Sequence, residues 1–248
     1  MSLHIEGFSE SHSVALKRRI IVGLCGQEGV GKSHFALTAP GAIAYFDFNK
    51  GLEGVVHKFY DQKDVLVYSP SFPKSDAVRE GYDYNREWSL FLDKFIAAIE
   101  HPEIRTIVID TGTEAWELLR LAKLGKLKEV PPMKYALVNA IFGDIIKTIM
   151  DSDKNFIMVN RTKDEYINNT RTGEQVMAGY ADSPEKVQVF GFMDWVRDES
   201  SPDGYKRLKI QKCRHDISLV GQVLIGETCT FPFLGTMMFP DTSEEDWK

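Results

Sequence analysis

The chain has 248 residues, 43% of them hydrophobic and 27% charged, with a formal net charge of −6. This composition excludes disorder, collagen and coiled coil, and the length is enough to bury a real core. The negative charge argues against a surface that coats nucleic acid or anionic membrane wholesale, so any nucleic-acid contact must be local.

Residues 1–17 are polar and are expected to form a flexible N-terminal segment. Apolar, β-branched runs at 19–25, 42–48, 65–68, 105–110 and 155–160 then alternate with helical patterns, which predicts an α/β fold with a mostly parallel sheet flanked by helices. Helices are expected over 32–39, stopped by Pro40-Gly41, over 84–100, stopped before Pro102, and over 133–150. In the last of these Met133, Leu137, Ile141, Ile145 and Ile149 repeat at i+4, with Phe142 and Ile146 widening the stripe, a face for packing on the sheet. Residues 161–179 are polar and read as a loop, followed by strand-like runs near Trp195, over 208–213 and over 222–225. Pro202-Asp203-Gly204 marks a hairpin turn between two of these, so the sheet is expected to finish in antiparallel C-terminal edge strands. With no Pro/Ser-rich linker, one domain is expected over 18–235, and 236–248 forms an acidic tail that reads, Trp247 included, as a solvated terminus. Trp88, Trp116 and Trp195 sit in apolar patterns and read as core packing.

Cys25, Cys213 and Cys229 form no CxxC pair and no metal spacing, which fits reduced thiols in a cytoplasmic setting with no zinc site. The start of the chain lacks signal-peptide order, and no apolar run approaches about eighteen residues, so no membrane partner is expected.

The strongest motif is Gly26-Gln27-Glu28-Gly29-Val30-Gly31-Lys32-Ser33, which satisfies GxxxxGK(S/T) between an apolar strand and a helix. Its glycines let backbone N–H groups point at a phosphate, Lys32 brings positive charge to the β and γ phosphates, and Ser33 offers a hydroxyl to Mg²⁺. The helix begun at Lys32, whose first turn includes His34, adds its positive dipole end. The implied ligands are ATP and Mg²⁺. A second element, Thr106-Ile107-Val108-Ile109-Asp110-Thr111, is an apolar strand ending in an acid, where an aspartate can hold Mg²⁺ beside Ser33.

In this order the motifs resemble those of RecA-like recombinase ATPases, and within them the short phage-encoded RecA-like NTPases associated with single-strand annealing and recombination. The similarity runs from about Ile20 to Arg214. Tyr45-Phe46-Asp47-Phe48-Asn49 looks like the strand that ends near the family's water-activating glutamate, and Val65 to Pro70 like the strand that follows it. Met158-Val159-Asn160-Arg161 resembles the strand whose polar tip senses the γ-phosphate and passes the signal into a DNA-binding loop. Leu208 to Arg214 resembles a late strand whose basic residues, here Lys212 and Arg214, reach the nucleotide of a neighbouring subunit. The chain departs from the family at Asn49, which stands where the catalytic glutamate is usual and can orient water without taking its proton, which leaves slow hydrolysis or Asp47 or Glu53 in the glutamate's place as the alternatives. It departs again at Arg161, a cation in place of the sensor amide.

The resemblance implies a slow or DNA-stimulated Mg-ATPase acting on single-stranded DNA in recombination, annealing or replication of a phage in a bacterial cytoplasm, as a ring or filament of identical subunits with phage recombination or replication proteins as possible partners. Two basic stretches occupy the places of its DNA loops: one with Lys123, Lys126, Lys128 and Lys134, the other with Arg161, Lys163 and Arg171, where Tyr166 is available to stack on a base. Solvated loops on an acidic protein are the alternative reading of both. Other function classes stay open on the sequence: a P-loop kinase of a nucleotide or small metabolite with 161–171 as its lid, a non-hydrolysing nucleotide-gated scaffold, or a DNA-packaging motor.

Overall fold

The computed structural model describes residues 17–74, 81–126, 131–199 and 201–248. Its first half alternates strands and helices: β1 (Ile21–Gly26), α1 (Lys32–Leu37), β2 (Ile43–Asp47), β3 (Val65–Tyr68), α2 (Tyr84–Glu100), β4 (Thr106–Asp110), α3 (Gly112–Leu124), α4 (Tyr135–Asp151) and β5 (Asn155–Asn160). The second half holds β6 (Thr162–Ile167), β7 (Thr170–Met177), the short α5 (Ser183–Lys186), β8 (Val189–Asp198), β9 (Ser201–Cys213), β10 (Val223–Ile225) and α6 (Phe231–Met238). One sheet runs in the order β10-β9-β8-β1-β5-β4-β2-β3. The strands from β8 to β3 are parallel, while β9 and β10 are antiparallel. This is the mostly parallel sheet flanked by helices, with antiparallel C-terminal edge strands, that the sequence implied.

The central strands are buried along their whole length, as a sheet covered on both faces requires. Their side chains alternate between two cores. Val22, Leu24, Val108, Ile157 and Val159 join α1 and α6 on one face, while Ile21, Cys25, Ile107, Ile109, Phe156 and Met158 join α2, α3 and α4 on the other. The carboxyl ends of β1, β4 and β5 lie side by side, since Cys25 pairs with Asn160 and Asp110 with Val159. Open α/β sheets bind ligands at these ends.

Several expectations are corrected. Helix α4 begins at Tyr135, and Met133 and Leu137 are exposed; its buried stripe is Val138, Phe142, Ile145, Ile146 and Ile149. A series at i+4 drifts about 40° per step around a helix with 3.6 residues per turn, so five such residues cannot share one face. The run expected as a loop over 161–179 is largely the β6–β7 hairpin, turned by Asn168 and Asn169 with φ of 51° and 61°. Asparagine tolerates this left-handed conformation better than most residues, which suits it to a two-residue hairpin turn. The β8–β9 hairpin closes at Asp198 and Ser201, and Pro202-Asp203-Gly204 runs inside β9. There Gly204 has φ 80°, and a Cβ on it would stand 2.2 Å from Trp195 Nε1. Trp195 is therefore a half-exposed lid over the strand, 49% accessible, and not a core residue.

The C-terminal segment is also packed. Helix α6 crosses the expected boundary at 235, and Glu244–Trp247 forms a 3-10 turn. The Trp247 ring lies against Gly235, Phe231 and Phe239, and its Nε1 donates to Thr242 Oγ1 at 2.8 Å. The acidic residues are solvated, but the tryptophan among them buries enough apolar surface to fasten the segment. No helix among the described residues is long and apolar enough to cross a membrane.

Candidate nucleotide-binding site

The glycine-rich turn after β1 has the backbone its sequence requires: Gly29 and Gly31 adopt φ of 80° and 96°, which side chains with a Cβ rarely adopt. Gly31 caps α1, and Lys32 is the first residue of that helix. The Lys32 ammonium curls back onto the loop, donating to the carbonyls of Gly26 at 2.8 Å and of Gln27. Burial pulls its pKa down from the ordinary lysine value, opposed by the negative charge of Asp110. Val30 is buried in the core, whereas the Glu28 side chain is exposed at the mouth of the loop. His34 packs edge-on against Phe59, its Nδ1 has no partner among the described residues, and burial lowers its pKa.

Asp110, at the carboxyl end of β4, accepts from Ser33 Oγ at 2.6 Å. Tyr45 on β2 donates to the same oxygen, Oδ2, also at 2.6 Å. Among the described residues Oδ1 of Asp110 has no hydrogen-bond donor. A hydroxyl, a carboxylate with one free oxygen and an ammonium thus converge on one cleft of about 500 Å³, lined also by Gly29, Gly31 and Asn49. That donor set suits a hard divalent cation held against phosphate oxygens, with Ser33 and Asp110 as the residues to hold it. A cleft of about 570 Å³ at the start of β2, among Gly41, Lys63 and Pro232, is lined by none of Lys32, Ser33 and Asp110.

The two residues expected to orient water are already engaged. Asp47 is buried, and its carboxylate accepts from the backbone N–H groups of Asn49 (3.3 Å), Gly51 (3.1 Å) and Leu52 (3.2 Å), so it anchors the turn after β2. Asn49 accepts from Arg161 at 2.9 Å through its side-chain oxygen. Arg161 also reaches the buried Glu114 at 3.0 Å and lies 3.6 Å from Glu28. Glu114 is a residue the sequence reading missed; its carboxylate, in the first turn of α3, is shared between Arg161 and Lys74, the latter at 2.7 Å. Asn160 is buried beside Gly112, and its Nδ2 has no partner among the described residues. A buried donor left open at the carboxyl end of β5 is what a phosphate oxygen would satisfy.

Thr113, also in the first turn of α3, holds the base of the β6–β7 hairpin. Its hydroxyl accepts from the Arg161 N–H at 3.1 Å and donates to the Ala178 carbonyl at 3.0 Å. Lys163 and Tyr166 are exposed on that hairpin, and Arg171 is paired with Asp164 at 2.7 Å. In the other basic stretch Lys126 lies 5.3 Å from the centre of the Tyr84 ring, and Lys128 falls outside the described residues.

Lys212 and Arg214 stand elsewhere. The register places Lys212 opposite Phe190 and hence level with Gly23, while the P-loop end of β1, Gly26, is level with Met193 and Leu208. Lys212 donates to the carbonyls of Pro184, Glu185 and Val187 at 2.6, 2.7 and 2.8 Å, and Arg214 donates to that of Glu185. Both cations cap the end of α5 in their own chain. The β9 cation beside the P-loop is Lys206, six residues and about 20 Å earlier along the strand; its Cδ stands 3.7 Å from where a Gly31 Cβ would be. The resemblance implied Lys212 and Arg214 for the nucleotide of a neighbouring subunit; alternation along a strand fixes which face such side chains share but not the level they reach.

The phosphate-binding turn, the lysine that opens α1 and the Ser33–Asp110 pair together define a site of the P-loop NTPase class. Residues 18–205 match a family model described as an AAA domain, and the chain belongs to that family. Among solved structures, a KaiC-like protein from the hyperthermophilic archaeon Pyrococcus horikoshii OT3 aligns over 79% of each chain at 11% identity with a TM-score of 0.46. No curated protein matches the chain.

Proposed function

We propose that the chain binds a Mg²⁺–nucleoside triphosphate, ATP by resemblance, and hydrolyses it in support of work on single-stranded DNA: recombination, annealing or replication of the phage-encoded kind. The observation that carries the nucleotide part is the 2.6 Å hydrogen bond joining Ser33 of the P-loop to Asp110 across β5. Lys32 binds the β and γ phosphates, and the free Asn160 amide contacts the terminal one. Ser33 and Asp110 hold the cation, which when bound neutralises charge on the phosphates. Asn49 orients water once Arg161 turns from it towards the triphosphate, where a guanidinium stabilises transferred charge.

Support for the DNA part is positional. Arg161 touches Asn49 and Glu114 at the cleft, while its own backbone begins the hairpin that carries Lys163, Tyr166 and Arg171. Nucleotide that draws on Arg161 would reset this hairpin, and several subunits in a ring or filament would line up such hairpins for a strand that an acidic protein could not otherwise hold. A second reading, a nucleotide-gated scaffold without turnover, draws on the engagement of both Asp47 and Asn49. Phosphate release measured with and without single-stranded DNA, for the native chain and for Lys32→Ala, tests the proposal. DNA-stimulated release that Lys32→Ala abolishes supports it, and no release at saturating ATP under either condition favours the scaffold.

A further inference from the structure

Tyr45 is 1% exposed, in the core that packs against α1, among Val22, Leu24 and Phe35. A phenylalanine would fill that space equally well. A hydroxyl taken this deep must find a partner or cost free energy, and the partner here is the Asp110 oxygen that also receives Ser33. Two donors from two directions, one on β2 and one on α1, fix the plane of the carboxylate. They also leave Oδ1 as its only oxygen without a donor among the described residues.

We propose that Tyr45 is a positioning residue for the divalent cation, its hydroxyl orienting Asp110 so that Oδ1 is presented to the cation or to a water bound to it. The inference rests on the nucleotide-binding reading above and adds a residue that neither P-loop nor acidic-strand pattern contains. Partners that orient a ligating group typically control metal affinity by 10- to 100-fold.

The test is Mg²⁺-dependent binding of a fluorescent ATP analogue to the full chain, with Tyr45→Phe compared against native protein. Tyr45→Phe should raise the Mg²⁺ concentration at half-saturation by about 10-fold or more, while nucleotide affinity in EDTA and the melting temperature without metal stay close to native. In an Asp110→Asn background the same substitution should add nothing. Equal Mg²⁺ half-saturation in native and Tyr45→Phe proteins overturns the inference and leaves the nucleotide reading standing; a native protein with no Mg²⁺-dependent binding overturns both. Should Tyr45→Phe fail to fold, 3-fluorotyrosine introduced at position 45 alone gives a second readout. Its ¹⁹F resonance should move on adding Mg²⁺ with nucleotide but not nucleotide in EDTA, and an unmoved resonance overturns the proposal.

Discussion

At the scale of residues, the site separates side chains that serve a ligand from those that serve the fold. Lys32 bonds only to loop carbonyls, a charge held in place by a loop shaped for phosphate. Lys32→Ala should leave the unliganded protein folded but remove the rise in melting temperature that Mg-ATP gives the native chain, a rise that follows from binding only the folded state. Asp47 behaves in the opposite way. Asp47→Ala strips three backbone N–H groups of their acceptor and should cost about 2 kcal/mol or more in urea unfolding, with loss of activity only in proportion to lost fold. A nearly native stability for Asp47→Ala would return it to the list of catalytic candidates. The sequence displays Asp47 and Asn49 as residue types but hides which of their lone pairs are occupied. It hides Tyr45 and Glu114 for a related reason: an aromatic in an apolar strand reads as core, and an acid in a helix's first turn reads as a dipole partner.

Between elements, the start of α3 is where the proposed coupling would pass. Asp110 ends β4 and Thr111 caps α3, then Thr113 and Glu114 take the Arg161 backbone and side chain, so the candidate cation site and the β6–β7 hairpin meet at one helical turn. Thr113→Val keeps the shape of the side chain but removes both hydrogen bonds at the hairpin base. It should cut DNA stimulation of the ATPase severalfold while basal turnover and nucleotide affinity stay near native. At the far end of β9, Lys212 is charged in a place that disfavours charge: burial first, then Arg214, lowers its pKa to about 8 from 10.5. With the folded value below the unfolded one, the unfolded chain binds more protons between those pH values, so this group makes stability rise with pH across that window. The stability advantage of native protein over Lys212→Met should therefore grow between pH 8 and 10, as read by urea midpoints; an advantage that shrinks would contradict the assignment. Trp247→Ala, in the segment the sequence read as solvated, should cost about 3 kcal/mol or more.

For the whole molecule, the parallel core was legible because its strands are apolar runs of the right length, bounded by glycine and proline, and buried on both faces. The hairpin over 162–177 was not, because both its strands are polar and largely exposed, so no alternation distinguishes it from a loop. The P-loop was read residue by residue, since its function is written in backbone-permissive glycines that no other fold element needs in that spacing. What acts through register, such as the level of Lys206 against that of Lys212, needed the sheet itself. The net charge of −6 takes on meaning at this scale: the DNA binding proposed above would be confined to the hairpin cations and strengthened by assembly, and should weaken steeply with salt. The most direct measurement of the central claim is the rate of phosphate release at saturating Mg-ATP with and without single-stranded DNA. The account predicts slow basal release, stimulated by the DNA at low salt and absent in Lys32→Ala; a native rate that DNA leaves unchanged, or release that survives Lys32→Ala, would contradict it.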